Sequence, residues 1–168
     1  MRQINVARTW IIGVFAAWFA VNASAVTAPR LVQSLDENWR FHLGTETNAV
    51  APGYDDSAWR VVDVPHDYVI EGTFQPTNPF PQVTVGRDKN WYPLHGFLPV
   101  QPAVYRKSLE IPASAKGKNL WLEFDGVFSN SRYWLNGREI GSQYSGYTRS
   151  RFQISDAANF GGKNILVV

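Results

Sequence analysis

The chain has 168 residues, no cysteine, 45% hydrophobic and 14% aromatic residues, and a formal net charge of +2. This is the length of one ordinary domain, and the aromatic content excludes a disordered or collagen-like chain. The lack of cysteine excludes disulfides, cysteine-ligated zinc, iron–sulfur clusters and thiol catalysis, while His42, His66 and His95 lie too far apart for a local histidine metal motif.

The first nine residues carry Arg2 and Arg8 and no acid, and residues 10–21 form an unbroken apolar run of 12. Ala23-Ser24-Ala25 then places small residues before a cleavage point. This is the order of a secretory signal peptide, and the apolar run is shorter than the roughly 20 residues a spanning helix needs. The expected division is therefore a leader at 1–25 and a mature chain at 26–168. Cutting 25 residues from 168 leaves 143, and without Arg2 and Arg8 the charge balance is 14 basic against 14 acidic residues. A chain with no basic surplus has little to offer phosphates, so nucleic acid is not an expected partner. No membrane contact is expected after leader removal. Export places the protein in the periplasm or outside the cell.

After the leader the chain reads as short strands separated by turns. Residues 31–35 and Trp39–Leu43 are β-rich, with Asp36-Glu37-Asn38 as turn chemistry between them. Residues 52–57 form a loop, residues 60–64 the next strand, and Pro65 closes it. Ala103–Ile111 alternates, as does 119–124, where Leu120, Leu122 and Phe124 face one way and Trp121 and Glu123 the other. Asn136-Gly137 between 132–135 and 138–141 is the strongest hairpin signal, because a type I′ turn needs positive φ at both central residues. Residues 151–154 and 164–168 are the last strands, with Gly161-Gly162 turning the chain between them. No window after the leader has a sustained helical period. The pattern predicts an all-β antiparallel sandwich or barrel.

Two stretches depart from it. Residues 73–102 contain six prolines and few strand signals, and include Trp91-Tyr92-Pro93-Leu94-His95. Long loops of this kind are usually functional or disordered. The chain also stops on Ile165-Leu166-Val167-Val168, a bare apolar strand. Such an end predicts an incomplete sandwich, lacking its last strand or strands, at the front of a longer polypeptide or in a truncated product.

Four segments carry a family resemblance: Asn38-Trp39-Arg40-Phe41; Tyr54-Asp55-Asp56-Ser57-Ala58-Trp59 running into Val64-Pro65-His66-Asp67-Tyr68; Val104-Tyr105-Arg106-Lys107; and Phe124-Asp125-Gly126-Val127 continuing through Trp134-Leu135-Asn136-Gly137 to Gly146-Tyr147. In this order the chain resembles the N-terminal sugar-binding domain of family 2 glycoside hydrolases, in the exported β-galactosidase-like branch. The resemblance implies a galactose-binding-like jelly-roll β-sandwich that precedes an immunoglobulin-like domain and a catalytic TIM barrel. It also implies a retaining mechanism whose two glutamates belong to the barrel. A (β/α)₈ barrel takes about 250 residues, more than the mature chain holds.

No catalytic residue is therefore assigned to this chain, and no cofactor or metal. Asp55, Asp56, Asp63, Asp67, Glu71, Asp88, Glu123, Asp125 and Glu139 have ordinary turn, cap or ion-pair readings, and no G-x-S-x-G elbow is present. Trp39, Phe41, Trp59, Phe124 and Trp134 are read as core. The candidate substrate-binding residues are Trp91, Tyr92 and His95 in the long loop, and Gln101. The last is the nearest amide to a position where some β-galactosidases present one. The expected partner is a carbohydrate, a β-glycoside and possibly a galactoside. A stand-alone carbohydrate-binding module, or a truncated structural remnant, is the alternative.

Overall fold

The computed structural model describes residues 30–74, 83–85, 88–90, 98–99 and 101–168. The chain divides into two units, Met1–Gln33 and Ser34–Val168. Residues 1–29, which include the expected leader, and residues 75–82, 86–87, 91–97 and 100 of the long loop lie outside the described residues. The strands among the described residues belong to the second unit: β1 (Trp39–Leu43), β2 (Arg60–Val62), β3 (Val83–Val85), β4 (Asp88–Asn90), β5 (Ala103–Ile111), β6 (Trp121–Phe124), β7 (Ser131–Leu135), β8 (Arg138–Gln143), β9 (Ser150–Gln153) and β10 (Gly162–Val167).

Six of them form one sheet in the order β2-β1-β5-β10-β7-β8, while β6 pairs with β9 and β3 with β4. Every ladder between these strands is antiparallel. Leu122 of β6 and Ile154, just after β9, join Leu135, Leu166, Trp39 and Ile111 of the large sheet in one buried cluster. Aromatic rings reinforce that layer. Tyr133 of β7 lies 4.7 Å from Phe124 and 4.5 Å from Phe152, ring centre to ring centre. The two layers are thus a β-sandwich, as expected from the alternation of apolar and polar residues.

The Asn136-Gly137 turn has φ of 53° and 82°, the left-handed geometry that the sequence requires. Its Asn136 also reaches into the fold. The Asn136 amide donates to Asn164 Oδ1 and to the Ala157 carbonyl, both at 2.8 Å, and its oxygen accepts from Ile165 N at 2.9 Å. Asn164, fully buried, donates in turn to the carbonyls of Asn159 and Gly162.

Several expectations are corrected. Residues 31–35 form no strand; Ser34 and Asp36 instead make a local turn, with the Ser34 hydroxyl 2.8 Å from the Asp36 carboxylate. β2 ends at Val62, because Asp63 turns aside to accept from Asn38 N at 2.7 Å. The long loop holds a small hairpin, in which β3 pairs antiparallel with β4 through Val83–Asn90, Thr84–Lys89 and Val85–Asp88. The sequence reading set no place in the sheet for the last strand. β10 lies between β5 and β7, and Leu166 and Val167 are buried there.

Candidate functional site

Beside β1 and β2 lies a cleft of about 470 Å³. Its walls include Phe41, His42, Trp59, Arg60, Tyr68, Glu71 and Gln101. Alternation along β1 turns Phe41 and His42 to opposite faces of the strand, and both border the cleft; the His42 imidazole stacks on Trp59 at 5.0 Å with an interplanar angle of 25°.

Trp59 is held by the turn before it. The Asp55 carboxylate accepts from Ser57 N at 3.0 Å, and Trp59 N donates to the Asp56 carbonyl at 3.0 Å. The Ser57 hydrogen bonds hold the Asp55 carboxyl below its ordinary range. Behind the turn, Arg106 of β5 is only 1% exposed. It pairs with Asp56 at 2.8 Å, donates to the carbonyls of Ala49, Ala51 and Tyr54, and lies over the Tyr54 ring. One buried guanidinium thus fixes the whole segment that presents Trp59.

Arg60 and Glu71 of the wall belong to a four-residue network with His66 and Tyr105 behind them. Arg60 donates to Glu71 at 2.6 Å and approaches His66 Nε2 at 2.9 Å, while Glu71 lies 3.1 Å from the same nitrogen. A guanidinium can only donate and a carboxylate can only accept, so the two contacts at Nε2 call for opposite placements of the imidazole proton. On the other side of the ring, Nδ1 and the Tyr105 hydroxyl share a hydrogen bond at 2.8 Å. The Arg60 hydrogen bond, aided by that of His66, holds the Glu71 carboxyl below its ordinary range. Burial raises the Tyr105 and Tyr68 phenols, with Asp67 adding to the effect on Tyr68. Tyr68 donates to the Gln101 carbonyl at 2.6 Å, which fixes the backbone of the rim.

Of the residues read as substrate-binding, Gln101 is exposed and lines this cleft. Trp91, Tyr92 and His95 lie outside the described residues. Sequence reading missed His42, Arg60 and Glu71, and placed Trp59 in the core, whereas Trp59 is half-buried on the cleft wall. Trp134 is also half-buried, with the Arg132 guanidinium 4.9 Å from its ring centre. Trp39 and Phe41 are core, as expected.

The acids have structural partners. Asp67 accepts from Val69 N, Glu123 and Asp125 pair with Arg149, and Glu139 pairs with Arg132. Among the described residues no three His, Asp or Glu side chains gather as metal ligands. What the cleft can do is bind. A flat aromatic stack meets the C–H face of a ring, while paired donors and acceptors meet hydroxyls.

Residues 88–168 match the model of the glycosyl hydrolase 2 galactose-binding domain-like family. A β-galactosidase of Bacteroides ovatus is 35% identical over 149 residues, covering 89% of this chain and 16% of that protein. A putative β-glucuronidase of Formosa agariphila is 30% identical, covering 84% of this chain and 12% of its own length. Among solved structures, a family 2 glycosyl hydrolase from Bacteroides cellulosilyticus aligns with a TM-score of 0.67 and 33% identity, over 80% of this chain and 17% of that one. A β-glycosidase from Bacteroides vulgatus aligns with a TM-score of 0.66 and 34% identity, over 79% of this chain and 16% of that one. The chain spans about a sixth of the length of such relatives.

Proposed function

Because the chain belongs to the galactose-binding-like N-terminal domains of the family 2 glycoside hydrolases, we propose that it is the non-catalytic, carbohydrate-binding and active-site-supporting part of an exported retaining exo-glycosidase of β-galactosidase type. The observation that carries this reading is the cleft itself, which the Trp59–His42 stack, the Arg60–Glu71 pair and Gln101 line together. Stacking holds a pyranose by its C–H face, and fixed donors orient its hydroxyls. In a retaining glycosidase the reaction itself needs two carboxyls about 5–5.5 Å apart on either side of the glycosidic bond. In this reading a barrel domain beyond the chain supplies them, and this domain positions the sugar at the rim. The leader at 1–25 directs export, so the working chain begins at Val26.

The test is secretion of the full chain, followed by intact mass, glycan binding and turnover on the product. The expected result is an N-terminus at Val26, measurable binding to a β-galactoside-bearing glycan, and no release of nitrophenol from nitrophenyl β-galactoside. Hydrolysis by the pure chain would overturn the non-catalytic assignment. Retention of residues 1–25 in the secreted product would overturn the leader.

A further inference from the structure

A second surface, built from the loops after β6 and β8, has no role in the cleft. Phe128, Tyr144 and Tyr147 are 54%, 84% and 85% exposed. Phe128 and Tyr147 meet edge to face at 5.5 Å. The two loops are locked together by close packing of glycines. A Cβ on Gly126 would stand 2.6 Å from the Gly146 carbonyl oxygen, and one on Gly146 would stand 2.5 Å from the Phe128 Cα. Asn130 N donates across the two loops to the Tyr144 carbonyl at 3.2 Å, and within the loop after β8 the Gln143 amide donates to the Thr148 hydroxyl at 2.8 Å. The rings therefore stand on a preorganised frame, which lowers the ordering cost of binding.

Exposed aromatic rings on fixed loops mark a contact surface. Its composition indicates what it contacts. Besides the rings, the exposed side chains here are Ser129, Asn130 and Thr148. The charges at its margin are already matched, since Arg149 pairs with Asp125 at 2.9 Å. The surface offers faces for C–H groups and neutral hydroxyl and amide groups for hydrogen bonds, with no unmatched charge among the residues named. A neutral sugar ring complements it, whereas a uronate would bring a carboxylate that must compete with Asp125 and Glu123 for Arg149.

We propose that Phe128, Tyr144 and Tyr147 form a second carbohydrate-binding platform, separate from the Trp59 cleft, that stacks neutral hexopyranose units of a glycan chain. It rests on the proposed function only for the class of ligand. The test is affinity electrophoresis of the full chain in gels holding a neutral β-1,4-galactan or polygalacturonate, with Tyr144→Ser/Tyr147→Ser and Trp59→Ala compared with the wild type. Both tyrosines are exposed, so unchanged circular dichroism and thermal midpoint confirm that the variant is folded. The expected result is retardation by galactan and not by polygalacturonate, with affinity falling about tenfold in the tyrosine variant. Unchanged galactan affinity in the tyrosine variant, with loss in Trp59→Ala, would overturn the platform and leave the cleft standing. Loss in the tyrosine variant alone would uphold the platform and remove the cleft. Stronger retardation by polygalacturonate, or none by either polymer, would overturn the platform. So would unchanged binding accompanied by a changed association state in sedimentation, which would assign the rings to a protein contact.

Discussion

Arg106 shows how one residue can govern the site without touching it. Simple alternation along β5 sets Val104, Arg106 and Ser108 on the face opposite Tyr105, and a charged residue there reads as surface. In the fold the segment before Trp59 closes over it, and its donors are used by one carboxylate and three carbonyls. Only a planar fork can serve so many acceptors at once; an ammonium cannot. Arg106→Ala strands the Asp56 carboxylate and the carbonyls, and the expected destabilisation is about 3–5 kcal/mol. Arg106→Lys keeps the charge and one partner, so its stability should fall between the two. Urea unfolding of the three proteins measures this. A lysine variant as stable as the wild type would show that the fork is not what holds the turn. Trp59 fluorescence in the folded Arg106→Lys variant should also shift toward a wetter environment, because the turn that carries the indole loosens.

At the scale of elements, the β7–β8 hairpin is tied to β10 by the Asn136–Asn164 pair. Asn164 has both amide hydrogens and its oxygen engaged, so Asn164→Ala leaves buried partners unmatched and should cost about 1–3 kcal/mol. Asn136→Ala removes the same contact from the other side and also loses a residue suited to positive φ. In a double-mutant cycle the two changes should couple by about 0.5–3 kcal/mol. Additive losses would mean that the turn and β10 are held independently. This hairpin was legible because its signal is local: two residues set the turn, and alternation sets the faces. β5 was legible to its ends for the same reason. The β-rich residues 31–35 were misread because strand formation needs a partner, and Trp39 Nε1 takes the Leu35 carbonyl at 2.7 Å instead. The cleft was mostly illegible. His42, Trp59, Arg60, Glu71 and Gln101 are brought together by tertiary pairing across separate segments, and no spacing in the sequence announces it. Gln101 was found through the resemblance, and the turn residues Asp55 and Asp56 through their chemistry.

At the scale of the whole molecule, the shifted groups set a pH window for stability. Asp55, Glu71 and Glu139 have folded values below their ordinary 3.8 to 4.5, for Glu139 through the Arg132 hydrogen bond. What they contribute is present above those ordinary values and is lost as pH falls through the folded ones. All three are exposed, so that acid limb should be shallow and weakened by salt. The Tyr68 and Tyr105 phenols are raised above 10.0, chiefly by burial. The folded state then holds protons that the unfolded chain releases, so their contribution is complete below pH 10 and declines as pH rises through the folded values. Tyr105→Phe isolates this term. Near neutrality the variant should be less stable by about 1–2 kcal/mol, because His66 Nδ1 loses its hydrogen-bond partner. Above pH 10 only the wild type carries the Tyr105 proton-release penalty, so the gap between the two should narrow as pH rises. Titrations common to both proteins cancel in the difference. Thermal midpoints of the pair from pH 7 to about 12 measure it. A gap that stays constant across that range would mean that the Tyr105 hydroxyl is no more shielded in the fold than in the unfolded chain, and that the His66–Tyr105 contact does not organise the wall of the cleft.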